Sequence, residues 1–128
     1  MEGDLGIGLG RLTGFSFLSF GHSALLLGDK IVVFGGWNGK VAFNDLWVYD
    51  TGTSNWIKAR VGGTIPAARH GHTMELLDDG RLVLFGGYTL GEDGAPVYVN
   101  DVRELDTDSM SWRRSRGTCV CVCERDVW

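Results

Sequence analysis

The feature that most constrains what this chain can fold into is an internal repeat with a period of about fifty residues, long enough for one supersecondary unit per copy. Residues 21–50 read GHSALLLGDKIVVFGGWNGKVAFNDLWVYD, and residues 70–106 read HGHTMELLDDGRLVLFGGYTLGEDGAPVYVNDVRELD. The copies are offset by 50 positions at their histidines, by 51 at their Gly-Gly pairs and by 56 at their Asn-Asp pairs. Because the spacing changes at only two places, we expect rigid elements joined by two loops of different length.

Each copy is predicted to form four short strands, which indicates an all-β fold. In the first copy the strands SALLL and KIVVF flank Gly28-Asp29, a pair that suits a two-residue type II′ hairpin turn. The second copy has the three residues 78–80, ending in glycine, and this accounts for its one extra residue. The third strands cover residues 45–50 and 101–106, and the fourth begin at Trp56 and Trp112.

Composition supports the same architecture. The chain has 20 glycines in 128 residues, roughly double the usual share, which favours many tight turns. The runs ALLL and IVVF do not alternate apolar with polar residues, so we expect both faces of each sheet to be buried between neighbouring sheets.

The repeat divides the chain into four parts. Residues 1–19 are a Gly-rich irregular segment, 20–60 the first repeat unit, 61–116 the second, and 117–128 a tail outside the repeat. The glycines at positions 6, 8 and 10 do not form a dinucleotide-binding loop, because the required third glycine is replaced by Arg11 or Thr13.

Taken together, the motifs at these spacings resemble the kelch repeat. The second copy also has a Pro-x-x-Arg-x-Gly-His segment ahead of its first strand, and the first copy lacks the corresponding arginine. The residues that carry the resemblance in the first copy are His22, Gly35, Gly36, Asn44, Asp45, Tyr49 and Trp56. Those in the second copy are Arg69, His72, Gly86, Gly87, Asn100, Asp101 and Trp112.

The resemblance implies two four-stranded antiparallel blades of a partial β-propeller. Complete propellers generally close with four to eight blades, so two blades imply a fragment or isoform of a longer propeller. It also implies that Trp56 and Trp112 fill space between blades. Uncovered blade faces or edges are expected to be able to self-associate.

Two groups of residues invite a metal or redox hypothesis. His70 and His72 lie two positions apart and are predicted to lie on one face of a strand, and imidazoles so placed can converge on zinc. His22 and His72 occupy the same position of the repeat, and a residue that recurs in each copy is more typical of a structural, hydrogen-bonding histidine. Cys119, Cys121 and Cys123 lack the Cys-x-x-Cys spacing of structural zinc sites and are read as incidental free thiols. We therefore expect no metal and no cofactor.

The function implied by the kelch resemblance is binding of a protein partner, as a scaffold or adaptor, through the loops between the second and third strands. Exposed aromatic side chains beside charges are typical of interfaces. The residues predicted to bind are Trp37, Asn38, Lys40, Tyr88, Thr89, Leu90, Glu92 and Asp93. The alternative is a piece of a kelch-type propeller enzyme, such as an oxidase or epimerase. No catalytic residue is predicted, because no recognisable catalytic constellation is present.

Charge and targeting patterns bear on partners and location. The formal net charge is −4 with both signs interspersed, which argues against a nucleic-acid or anionic-membrane partner. The acidic amino terminus lacks the basic region of a signal peptide, and no cysteine occurs before Cys119. We expect an intracellular protein, in the cytoplasm or the nucleus.

Overall fold

Two antiparallel sheets, one from each repeat, dominate the computed structural model, which describes residues 19–116. The first sheet has the order β1-β2-β3-β4 and consists of β1 (Ser23–Leu27), β2 (Lys30–Phe34), β3 (Leu46–Asp50) and β4 (Asn55–Lys58). The second has the order β5-β11-β10-β7-β6 and consists of β5 (Gly62–Gly63), β6 (Thr73–Leu76), β7 (Arg81–Phe85), β10 (Val102–Asp106) and β11 (Ser111–Arg114). The all-β prediction is confirmed.

The strand pairing follows from short turns. Register pairs Leu27 with Lys30, so Gly28 and Asp29 form a two-residue turn. Gly28 has a φ of +61°, whereas Asp29 does not have a positive φ, which is the pattern of a type II′ turn. Because side chains alternate between faces, this register directs Val32 and Phe34 of β2 to the face that meets the second sheet.

Two features of the second repeat were not predicted. The two-residue β5 adds a fifth strand, and it pairs in parallel with β11. The longer loop of the second repeat is also not an irregular loop. It folds into a separate hairpin made of β8 (Tyr88–Leu90) and β9 (Pro96–Tyr98), so the five inserted residues extend a structure that the first repeat builds more tightly.

The hydrophobic core lies between the two sheets. Phe34 is completely buried, and the ring of Trp112 packs on it with a centroid separation of 5.3 Å. The innermost strands of the two sheets, β1 and β6, lie next to each other, as adjacent blades of a propeller do. The buried apolar residues of this core are Val32, Phe34, Leu46, Met74, Leu82, Leu84, Leu105 and Trp112.

Burial outside this core corrects two expectations. The prediction that both faces of every strand are buried is wrong for β1, where Leu26 is 65% exposed. The prediction that both repeat tryptophans fill the space between blades fits Trp112. Trp56, however, packs against Tyr49 at 5.1 Å, and both lie on the face of the first sheet turned away from the second. The tryptophan at this motif position therefore has different neighbours in the two repeats.

Candidate partner-binding surface

The segment ahead of the first strand of each repeat pairs with the residue that follows the Gly-Gly motif of that repeat. Phe20 and Trp37 exchange two backbone hydrogen bonds of 2.9 Å each. Fifty positions later His70 pairs with Tyr88 in the same way, at 3.0 and 2.9 Å. Both repeats thus pair the backbone of an aromatic loop residue with that of a ring-bearing residue ahead of the first strand.

Each loop between the second and third strands is itself a hairpin. In the first repeat Trp37 pairs with Ala42, and the Asn38 side-chain oxygen accepts the backbone N–H groups of Lys40 and Val41 at 2.9 Å each. The Asn38 side chain therefore shapes the turn, and Lys40 is exposed at its tip. In the second repeat β8 and β9 make the equivalent, longer hairpin.

The glycine pair of the first repeat allows the backbone of the second repeat at Arg69 to pass close to it. Gly35 has a φ of +69°, and a Cβ there would lie 2.7 Å from the carbonyl oxygen of Arg69. The backbone N–H of Gly36 donates to that carbonyl at 2.9 Å, and the N–H of Arg69 donates to the Phe43 carbonyl at 3.1 Å. A side chain at position 35 would push this crossing segment away.

Aromatic rings from both repeats meet around His70. Its imidazole stacks on Trp37 at 5.2 Å, contacts Tyr88 at 4.0 Å and lies 6.3 Å from Phe20. Tyr88 in turn contacts Tyr98 of β9 at 5.7 Å. We call these five residues the aromatic surface.

The aromatic surface has a buried centre and exposed outer rings. His70 is only 6% exposed, whereas Phe20 is 57% and Tyr98 78% exposed. Burial lowers the pKa of His70, so the imidazole is neutral at pH 7. Glu92 and Asp93 lie in the turn that joins β8 to β9, at the end of the hairpin away from Tyr88 and Tyr98. The surface therefore offers exposed rings around an uncharged, buried imidazole.

A buried arginine holds the hairpin of the second repeat in place. Arg69 is 1% exposed, and its guanidinium donates to both carboxylate oxygens of Asp101 and, at 3.1 Å, to the Gly86 carbonyl. Arg103 donates to the same carboxylate at 2.7 Å. Burial alone would raise the pKa of Asp101, but the hydrogen bonds from Arg69 and Arg103 outweigh it and lower that pKa to about 2. The carboxylate is therefore ionised at every pH at which this chain would function.

His72 belongs to the joint between the sheets and not to the aromatic surface. Its Nε2–H donates to the Phe34 carbonyl at 3.1 Å. Burial lowers the pKa of His72 to about 4, so it too is neutral at pH 7. The strand β6 begins at Thr73, so His70 and His72 do not share a strand as predicted. Residues 19–116 contain no cluster of three or more His, Cys, Asp or Glu side chains arranged to hold a metal.

The structure places the predicted binding residues in two positions. Trp37 and Tyr88 join the aromatic surface, and Leu90 is exposed on the β8–β9 hairpin. Thr89 is half-buried in β8, and Asn38 uses its side chain within its own turn. Lys40, Glu92 and Asp93 lie at the hairpin tips; Asp93 also accepts the Ala95 N–H at 3.0 Å. Binding by these residues stays a prediction.

Sequence reasoning missed Phe20, His70 and Tyr98 as members of this surface. Phe20 and His70 are repeat equivalents, each two positions before a motif histidine, and that shared position was the available signal. The cysteines at 119, 121 and 123 lie outside the described residues. In the described part of the chain, residues 19–116, no helix has the length and hydrophobicity to cross a membrane.

The remaining motif residues differ in their contacts and in their exposure. Asp45 accepts the indole N–H of Trp47 at 2.9 Å and lies 3.9 Å from the Lys58 ammonium, whereas its counterpart Asp101 binds two arginines. Asn44 and Asn100 are exposed, and His22 is exposed where its counterpart His72 is buried. The same motif is therefore used differently by the two repeats.

Comparison with known proteins identifies relatives for this architecture. A family model described as the KLHDC2/KLHL20/DRC7 Kelch-repeats domain matches residues 18–126. Kelch domain-containing protein 3 of Homo sapiens is 39% identical over 107 residues, which is 82% of this chain and 25% of that protein. Host cell factor 1 of Homo sapiens is 38% identical over 96 residues, covering 73% of this chain and 4% of that protein.

A solved structure shares the fold. The structure of YjhT superposes with a TM-score of 0.61 and 20% identity, over 82% of this chain and 29% of that one. At this identity the likeness concerns the fold alone. The chain spans about a quarter of the length of Kelch domain-containing protein 3.

Proposed function

Because the chain belongs to the kelch-repeat family, we propose that it is a protein-interaction module that binds a partner protein through its aromatic surface. Scaffold or adaptor action follows from such binding. We further propose that these two blades act as part of a longer propeller, which is supported by the quarter of the relative's length that the chain covers.

The observation that carries this proposal is the convergence of both repeats on His70. Trp37 from the first hairpin and Tyr88 from the second contact the same buried imidazole. A partner seated here would touch both blades at once, so the surface is larger than either loop. Rings that are already packed against each other lose little side-chain entropy on binding, which favours affinity.

The exposed part of the aromatic surface and the apolar residues near it have the composition of an interface centre. Tyr98, Phe20 and Val41 are 78%, 57% and 53% exposed, and Leu90 and Val97 add apolar area on the β8–β9 hairpin. Tyrosine and tryptophan are enriched among residues that dominate binding energy, whereas the charged hairpin tips suit a polar rim. The proposed partner therefore contributes an apolar or aromatic anchor to the surface.

The proposal includes no catalytic role. The relatives are kelch-domain proteins, and His70 and His72 make packing and hydrogen-bonding contacts that account for their positions. We also propose an intracellular location, in the cytoplasm or nucleus, which is supported by the absence of cysteine before Cys119. Self-association through open blade faces stays a prediction.

The test compares partner capture by variants at two exposed apolar positions, one on the aromatic surface and one away from it. Tyr98→Ala removes the most exposed ring of the aromatic surface, and Ile57→Ala removes an apolar side chain that is 52% exposed on β4. Quantitative affinity capture from cells should recover the same partners with the wild type and Ile57→Ala. For a direct partner, Tyr98→Ala should weaken the measured affinity by about tenfold or more, as truncation of a central tyrosine does.

The proposal fails if Tyr98→Ala captures the same partners as Ile57→Ala with unchanged affinities. A second variant, Phe20→Ala, tests for a partner that binds the aromatic surface without contacting Tyr98, because Phe20 lies at the opposite end of the ring cluster. Circular dichroism on both variants confirms that the sheets are intact.

A further inference from the structure

A cavity of about 210 Å³ lies between the two sheets. Its inner wall is built by side chains that are at most 2% exposed and that come from both sheets, namely Val32, Leu46, Leu82 and Leu105. Every residue that lines the cavity lies within residues 19–116 and faces the contact that the two sheets already make with each other. The cavity is therefore a feature of the joint between the repeats.

The mouth of the cavity lies among the turns of the two sheets. Leu27 and Lys30 flank the β1–β2 turn, and Thr107 and Met110 belong to the turn that joins β10 to β11; all four are half-buried. The aromatic surface begins at the opposite end of β2, where Trp37 follows the Gly-Gly pair. The cavity and the aromatic surface therefore open at opposite ends of the sheets.

The unequal size of the side chains in the joint accounts for the cavity. Toward the aromatic surface the rings of Phe34 and Trp112 pack at 5.3 Å, and the ring of His72 lies 5.5 Å from that of Phe34. These rings hold the sheets apart at that end. Toward the turns the apolar lining consists of leucine, valine and methionine side chains, which are smaller than an indole and leave part of the gap unfilled.

We propose that this cavity is a binding site for a small neutral apolar molecule, of the size and flat shape of a one- or two-ring aromatic compound. An engineered cavity of about 150 Å³ with a similar apolar lining in another protein stays dry and binds benzene. The cavity between these sheets is larger than that one. The thioether of Met110 at its mouth suits an aromatic ligand, because sulfur makes favourable contacts with ring edges.

The polar groups at the mouth are already bonded, which selects against a charged ligand. The Lys30 ammonium lies 2.9 Å from the Asp29 carboxylate and 3.4 Å from that of Asp50. The Thr107 hydroxyl donates to the Gly80 carbonyl at 2.7 Å. An ionised group drawn into the cavity would lose its hydration without gaining a partner. Water is disfavoured for the same reason, since a buried water needs two to four polar partners.

The experiment titrates indole and benzene into the full chain, whose methionine methyl groups are labelled with ¹³C. Met110 lines the cavity, whereas Met74 is buried in the core outside the cavity lining. The ring current of a bound ligand should shift the Met110 methyl resonance and leave that of Met74 nearly unchanged. We expect a dissociation constant for indole on the order of 0.1–1 mM, since an aromatic group of this size buries about 150–250 Å².

Two further measurements test the chemistry of the site. Benzoate has the ring of benzene and a carboxylate, and it should bind at least about tenfold more weakly than benzene. Indole should also raise the melting temperature of the chain, because a molecule that contacts both sheets binds the folded state and not the unfolded one.

Substitutions at adjacent residues of β1 separate filling of the cavity from the mere introduction of a tryptophan. Leu27→Trp places an indole ring in the cavity and should weaken the binding of free indole at least about tenfold. Leu26→Trp is the matched control, because Leu26 is 65% exposed on the opposite face of the same strand, and it should bind indole as the wild type does. Val48→Met fills the cavity from β3 with a flexible side chain, so it provides the same test if Leu27→Trp does not fold.

Three results would overturn the proposal. One is a Met110 resonance that does not move up to the solubility limit of indole. Another is benzoate binding as tightly as benzene, or equal shifts at Met74 and Met110, which would mean that the ligand does not select the apolar cavity. The third is a folded Leu27→Trp or Val48→Met variant that binds indole as tightly as Leu26→Trp. Each of these results is independent of whether a partner protein binds the aromatic surface.

Discussion

Acid should weaken this fold through His72 before its carboxylates are protonated. The folded chain lowers the pKa of His72 to about 4, chiefly by burial, from 6.5 in the unfolded chain. Between these two values the unfolded state binds more protons than the folded state. The free energy of unfolding therefore falls as the pH falls, and the full contribution is present only above about pH 6.5.

The magnitude follows from the two pKa values. Between pH 7 and pH 5 the linkage relation gives a loss of about 2 kcal/mol from this one group. Asp101, with a pKa of about 2, stays ionised over that range. His70 also has a lowered pKa and contributes in the same direction, so a variant is needed to isolate His72.

The variant is His72→Gln, whose amide N–H can still donate to the Phe34 carbonyl but does not titrate. Urea unfolding followed by tryptophan fluorescence at pH 7, 6 and 5 gives the free energy of unfolding for both proteins. The difference between wild type and variant should shrink or reverse by about 2 kcal/mol from pH 7 to pH 5. Parallel pH dependences would refute the assignment of a buried neutral imidazole to the joint.

Two further matched pairs test the packing. Asp101→Asn should lower the free energy of unfolding by about 3–5 kcal/mol, because it leaves the buried Arg69 guanidinium without its carboxylate. Asp45→Asn at the equivalent position should lower it by less than about 1 kcal/mol. Equal losses in chemical denaturation would contradict a stabilising role for the Arg69–Asp101 ion pair. Ser54 and Met110 are repeat equivalents with φ values of 58° and 53°, so Ser54→Gly should stabilise by about 0.5–1 kcal/mol. Met110→Gly should instead destabilise, since Met110 packs against the core, and a rise in its melting temperature would count against that packing.

Much of each blade was predictable because its determinants are local. The Gly28-Asp29 turn and the apolar runs on either side of it specify β1, β2 and their register within about a dozen residues. The repeat then predicts the same hairpin a second time, and the structure has it between Leu76 and Arg81. The hairpin of β8 and β9 escaped prediction, because its strands are three residues long and carry no clear alternation.

The sequence by itself determined that this chain is all-β, that it forms two equivalent blades and which motif residues correspond between them. Only the tertiary structure decided what each motif residue does. Phe34 is buried and Phe85 open, and His72 is buried while His22 is exposed, although each pair occupies one motif position. The physical reason is that burial depends on the neighbouring sheet. The local pattern does not contain that neighbour, and the crossing at His70 that assembles the aromatic surface likewise exists only once two blades have packed.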